Sequence, residues 1–218
     1  MKGFWQRFLA VLTPGVRILL GLLAAVYLAA IAGKTVHAFD LYRWLTLIGP
    51  TFWSGQIWRL ATYALLPAGI LDFLMNGIAL VMLGGLLERH WSRGELWLYC
   101  LVAAAGAGLA KVGLQFSSPQ PLAGIAPVMF GLLIAWGFLC GRETINLLIF
   151  GEITVWRLVL CAAVISLLIM FLTAGLVMTL ILAAGGLTGW VYLWLKQKWL
   201  MSRASCVAHS ERINRLEL

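Results

Sequence analysis

Hydrophobic residues in this chain gather into six long blocks, at 16–33, 70–87, 96–116, 123–140, 155–172 and 176–195, with polar residues in the gaps. A bilayer core takes roughly 20 helical residues to cross, so each block is read as a membrane-spanning helix. The first contains Ala30-Ile31-Ala32, which has the small-residue spacing of a signal-peptidase site. Its apolar run exceeds the ~7–15 residues of a signal peptide, so it is read as a retained helix. Between the first two blocks lies a connection, 34–69, that is dense in aromatics (Phe39, Tyr42, Trp44, Phe52, Trp53, Trp58, Tyr63) and broken at Gly49-Pro50 and Gly55. Amphipathic aromatic stretches of this kind settle at headgroup level. Only Thr173-Ala174-Gly175 separates the last two blocks, so they are expected to be antiparallel neighbours. The predicted organisation is an amphipathic segment at 1–15 lying on the membrane surface, a helical membrane domain at 16–195, and a polar, poorly ordered tail at 196–218. The fold class is an all-α membrane protein built as a six-helix bundle.

Composition agrees with that pattern. The chain is 62% hydrophobic and 11% charged, against an apolar share of ~45–50% in soluble domains. The net charge of +8 is no footprint for nucleic acid, because the basic residues sit at the ends of the blocks instead of forming one stripe. Twelve of the 16 lysines and arginines fall in connections on one side of the predicted topology. By the positive-inside rule that side is cytoplasmic, which puts both termini in the cytoplasm. The expected location is a bacterial inner membrane, crossed several times. Cys100, Cys140, Cys161 and Cys206 have no metal-ligand spacing, and the three in apolar runs are read as reduced, buried thiols; neither metal nor cofactor is assigned.

Candidate chemistry comes from four short stretches. Gly124-Ile125-Ala126-Pro127 opens the fourth block; Asp72 and Asn76 stand four apart at the head of the second; Trp58-Arg59 closes the first connection; and Gly185 and Gly189 lie in the sixth block after Leu182 and Ala183. Over roughly 50–195 these stretches resemble the rhomboid family of intramembrane serine proteases. The resemblance implies a nucleophilic serine at Ala126, a general-base histidine at Leu182 or Ala183, an oxyanion-binding histidine at Asp72 with an asparagine at Asn76, and a Trp-Arg first-loop motif at Trp58 and Arg59. Ala126 carries a methyl group and cannot attack a carbonyl carbon. Neither Leu182 nor Ala183 can accept a proton. An ionised Asp72 would repel an oxyanion, and only Asn76 keeps a donor. Gly185 and Gly189 form a small-xxx-small face suited to close helix packing, with Gly124 as the expected opposing surface. Pro127 fits a helix start. His37 with Ser117 or Ser118 is a substitute dyad with no orienting group, and Glu88 is read as a rim partner of Arg89.

Three readings follow. The leading one is a rhomboid-like pseudoprotease, not an enzyme, that binds transmembrane segments of client proteins without cleaving them. The others are a structural subunit of a larger membrane complex and an active rhomboid endopeptidase. Membrane lipid and a membrane-protein client or complex partner are the implied partners, and nucleic acid is not. Asp72 and Lys111 are expected at similar depth on adjacent helices, where an ion pair would relieve the cost of two charges near hydrocarbon.

Overall fold

The computed structural model describes residues 13–35, 40–116, 118–147 and 151–214. Most of the segment expected at 1–15 therefore lies outside the described residues, as do His37 and Ser117. Helix α1 is Pro14–Thr35. Three short helices fold the aromatic connection, α2 Leu41–Leu45, α3 Gly49–Trp53 and α4 Arg59–Thr62, with a 3₁₀ turn at Tyr63–Leu65. Helix α5 spans Ile70–Glu88 and holds one π-helical segment, Leu80–Gly84. Helix α6 is Arg93–Leu114 and α7 is Ala126–Cys140. A two-stranded antiparallel hairpin follows, β1 Thr144–Leu147 and β2 Gly151–Thr154, with Thr144 opposite Thr154. The all-α reading left these residues as a plain connection; their threonines and isoleucines suit a short ladder.

Helical residues then run Val155–Asn214, broken at Gly175 (φ 82°, ψ 178°). Trp156 and Gln197 line one hollow beside Gly137 and Gly141. A straight helix would hold those two residues ~60 Å apart at ~1.5 Å per residue. The chain therefore doubles back at Gly175 into two limbs, α8 (155–174) and α9 (176–214), as the short turn at 173–175 implied. Glycine is required at the turn, since that backbone region is closed to residues with a Cβ. Helix α9 continues past Lys196 as far as Asn214.

Among the described residues, four runs are long and apolar enough to cross a membrane: Pro14–Gly33, Ile70–Glu88, Arg93–Leu114 and the doubled-back Val155–Met201. The 15-residue α7 is shorter and lies in the centre of the bundle, where Pro127 through Leu132 and Ala135 through Gly137 are all buried. By contrast α8 turns Leu168, Ile169 and Leu172 outward, 55%, 55% and 73% exposed. Such a surface demands a hydrocarbon solvent.

Polar side chains join the helices at both ends. At one end, the Glu88 carboxylate accepts from Gly15 N (2.8 Å), Val16 N (3.0 Å) and the Thr13 hydroxyl. The orphan donors of the first turn of α1 are thereby met: Pro14 has no N–H, and Arg17 N reaches Thr13 O at 2.9 Å. The expected rim pair of Glu88 with Arg89 is replaced by this tertiary cap, with Arg93 Nε 3.9 Å away. At the other end the connection before α5 dips into the bundle. Leu47 bridges to Leu122, and the Tyr63 hydroxyl donates to Ala104 O on α6 at 2.9 Å.

Candidate functional site

The positions singled out on α5, α7 and α9 converge. Asn76, Ala126 and Leu182 line one cleft of about 620 Å³, together with Met75, Met129 and Met170. Its walls are α5, α7, α8 and the upper part of α9. Helix α7 begins at Ala126, with Pro127 in its first turn, where a missing N–H leaves no bond unmade. Ahead of it, Gly124 takes φ +112° and donates its N–H to Tyr63 O at 3.1 Å. A left-handed residue here aims the chain into the centre of the bundle, and glycine does so without strain.

The polar groups of the cleft are already bonded inside the protein. Asp72 sits in the first turn of α5. Its Oδ2 accepts from Ala68 N at 2.9 Å and its Oδ1 from Asn76 Nδ2 at 2.5 Å. The two residues thus form an i, i+4 pair on one helix face, and the Asn76 bond goes to its own helix instead of crossing to a neighbour. The Ser166 hydroxyl donates to Ala162 O at 2.7 Å and that of Thr173 to Ile169 O at 2.8 Å. Most of the remaining lining is apolar, from Met75, Met129, Phe130, Leu133, Met170 and Leu182.

Lys111 does not meet Asp72. It is fully buried and donates to Gln115 Oε1, one turn along α6. The salt bridges among the described residues are Glu88–Arg93 and Glu95–Lys196. The depth argument carried no information on how each helix is rotated about its axis.

The small-residue face has different partners from those expected. A Cβ at Gly185 would lie 2.7 Å from Pro127 O, and one at Gly189 would lie 2.7 Å from Tyr99 Cζ. Pro127 and the Tyr99 ring are therefore the opposing surfaces, not Gly124, which stands nearest Asp72. The absence of a side chain at Gly189 lets the Tyr99 hydroxyl pass and donate to Gly131 O at 2.6 Å. One phenol thus ties α6, α7 and α9 together. Nothing in the sequence near Tyr99 marks it for this role.

Arg59 is the buried hub of the first connection, 4% exposed. Its Nη1 donates to Arg43 O (2.7 Å) and Thr46 O (2.6 Å), and its Nε to Gln56 Oε1 (2.6 Å). Burial lowers its pKa, but an arginine starts so far above neutrality that it stays charged. Trp58 beside it is half exposed, as suits an interface anchor. Tyr42 donates to Pro67 O at 2.5 Å. Burial, with the neighbouring Tyr27 and Asp72, raises its pKa and keeps it a neutral donor.

Residues 17–199 match the family described as eukaryotic integral membrane protein (DUF1751). The chain belongs to this family. No curated protein matches it. Membership of DUF1751 corrects the expected bacterial inner membrane, because the family is eukaryotic; a multi-pass membrane protein remains. Net charge and hydropathy carry no label of organism, which is why that part of the reading failed. The DUF1751 match extends from the first turns of α1 to the middle of α9, so cleft and first connection both lie within it.

Proposed function

We propose that this chain is a rhomboid-like pseudoprotease with six crossings, which holds an apolar transmembrane segment of another protein in the cleft between α5, α7 and α8 without cutting it. One observation carries this reading: Ala126, Leu182 and Asn76, the three positions that would hold nucleophile, base and oxyanion donor, share a cleft in which the Asn76 amide bonds Asp72 and the Ser166 hydroxyl bonds its own helix. With a methyl group at the nucleophile position and an aliphatic side chain at the base position, the cleft lacks the groups that acyl transfer needs. The same cleft offers Met75, Met129 and Met170, unbranched thioethers that adapt to differently shaped apolar partners. Lipid is the competitor for this space, and a client segment prevails where its own packing with other helices is poor.

A photo-crosslinking residue at Ser166 tests the proposal in native-like membranes. Crosslinks to transmembrane segments of several proteins are expected, and Ala126→Phe, which fills the cleft, removes them. Crosslinks untouched by Ala126→Phe would refute a role for the cleft. A single partner recovered at fixed stoichiometry would favour a structural subunit. Serine-specific labelling by a fluorophosphonate would restore the protease reading.

A further inference from the structure

At the end of the bundle opposite Asp72, three side chains that lie far apart in sequence come together. His90 follows the last turn of α5, Cys140 is the last residue of α7, and Glu143 stands in the turn before β1. One imidazole nitrogen, the thiol sulfur and a carboxylate oxygen all lie within 4.8 Å of one another. We propose that His90, Cys140 and Glu143 form a binding site for a zinc-like divalent transition-metal ion.

The donor set and its surroundings both point to such an ion. Thiolate, imidazole and carboxylate together select zinc and its neighbours over magnesium or calcium, which take oxygen ligands. Tetrahedral bonds of ~2.0–2.3 Å place donors roughly 3.3–3.8 Å apart, so the three atoms need to close by no more than about 1–1.5 Å. Cys140 is buried, while His90 and Glu143 are exposed, so the Glu143 carboxylate has room to close on the buried sulfur. The histidine is already oriented. Its Nδ1 lies 3.2 Å from Leu86 O; the tautomer with the proton on Nδ1 donates to that carbonyl and leaves the Nε2 lone pair for a metal. That is the outer-shell arrangement usual for metal-bound histidine.

The backbone beneath Glu143 is held as well. Glu143 N bonds Cys140 O (2.9 Å), and Val155 N bonds Glu143 O (2.9 Å). Thiolate and carboxylate supply two negative charges against the two positive charges of the ion, so the loaded site is neutral. With three protein ligands, a fourth position stays open to water or a partner's side chain. Bound metal would staple the ends of α5 and α7 to the β-hairpin. Sequence spacing gave no sign of this, since the ligands come from three separate elements.

The test uses the full-length protein purified in mild detergent, with Zn²⁺ and Co²⁺ as probes. One equivalent of zinc is expected to survive dialysis, and cobalt should give a thiolate charge-transfer band that zinc displaces. Cys140→Ser should abolish that band, whereas Cys100→Ser and Cys161→Ser should leave it. His90→Gln and Glu143→Gln, at exposed positions that do not endanger folding, should each weaken zinc binding at least ~10–100-fold. Zinc should raise the unfolding temperature of the wild type and not that of His90→Gln. Less than stoichiometric zinc in the wild type would overturn the proposal. So would a cobalt band that persists in Cys140→Ser, or zinc binding unchanged by both His90→Gln and Glu143→Gln.

Discussion

Replacing Glu88 should loosen α1 from the rest of the bundle, and the size of the effect follows from which donors are left behind. The Glu88 side chain is 5% exposed and takes both backbone donors left over in the first turn of α1, Gly15 N and Val16 N. In Glu88→Ala these two N–H groups lose their partner where water is scarce, at ~1–3 kcal/mol each. The negative charge that complements the helix N-terminus goes too, for a further ~0.3–1 kcal/mol. Relief from burying a carboxylate offsets part of this, and the exposed Arg93 contributes little. A net loss of about 3 kcal/mol is expected for Glu88→Ala and about half of that for Glu88→Gln, which keeps one acceptor. Denaturant titration in mixed micelles, followed by the fluorescence of the 11 tryptophans, would measure it. A second variant isolates the contact. A Cβ at Gly15 would lie 2.7 Å from Glu88 Oε1, so Gly15→Ala should also destabilise, yet become nearly neutral when Glu88 is already alanine. Changes below ~0.5 kcal/mol in Glu88→Ala, the range of ordinary surface substitutions, or strict additivity in the double variant, would refute the capping argument.

Three further outcomes are expected. Ala126→Ser with Leu182→His should not react with fluorophosphonates or cut model transmembrane substrates, because Asp72 holds the Asn76 amide and brings negative charge to the oxyanion position; efficient cleavage would contradict this. Gly189→Ala should push Tyr99 off Gly131 O, combining overpacking of ~1–3 kcal/mol with a lost hydrogen bond of ~1 kcal/mol, and the smaller Tyr99→Leu should recover part of the loss in the same titration. Gly175→Ala should cost ~1–3 kcal/mol of backbone strain at the reversal between α8 and α9, seen as a lowered unfolding midpoint; an unchanged midpoint would show that the turn tolerates a side chain.

The helices themselves were legible in the chain, because membrane insertion is decided locally. A block of apolar residues long enough to span hydrocarbon has to satisfy its own backbone groups, and a helix does so whatever its neighbours are. Hence the blocks at 16–33, 70–87 and 96–116 reappear as α1, α5 and α6, and the reversal at Gly175 follows from a three-residue gap. Positions four apart share a helix face, which is why Asp72 and Asn76 meet. The convergence of Ala126, Leu182 and Asn76 was legible only through a family pattern, since no local rule joins three helices. Everything that depends on how helices are rotated and paired was decided by tertiary packing. It gave Glu88 to the start of α1 instead of Arg89, and Lys111 to Gln115 instead of Asp72. It also brought Tyr99 against Gly189, and His90 within reach of Cys140 and Glu143. Along a helix an apolar block looks much the same from every side, so its sequence fixes depth closely and azimuth hardly at all. Azimuth is set by which small residues let another helix approach and which buried polar groups must find partners, and those conditions exist only once the bundle has closed.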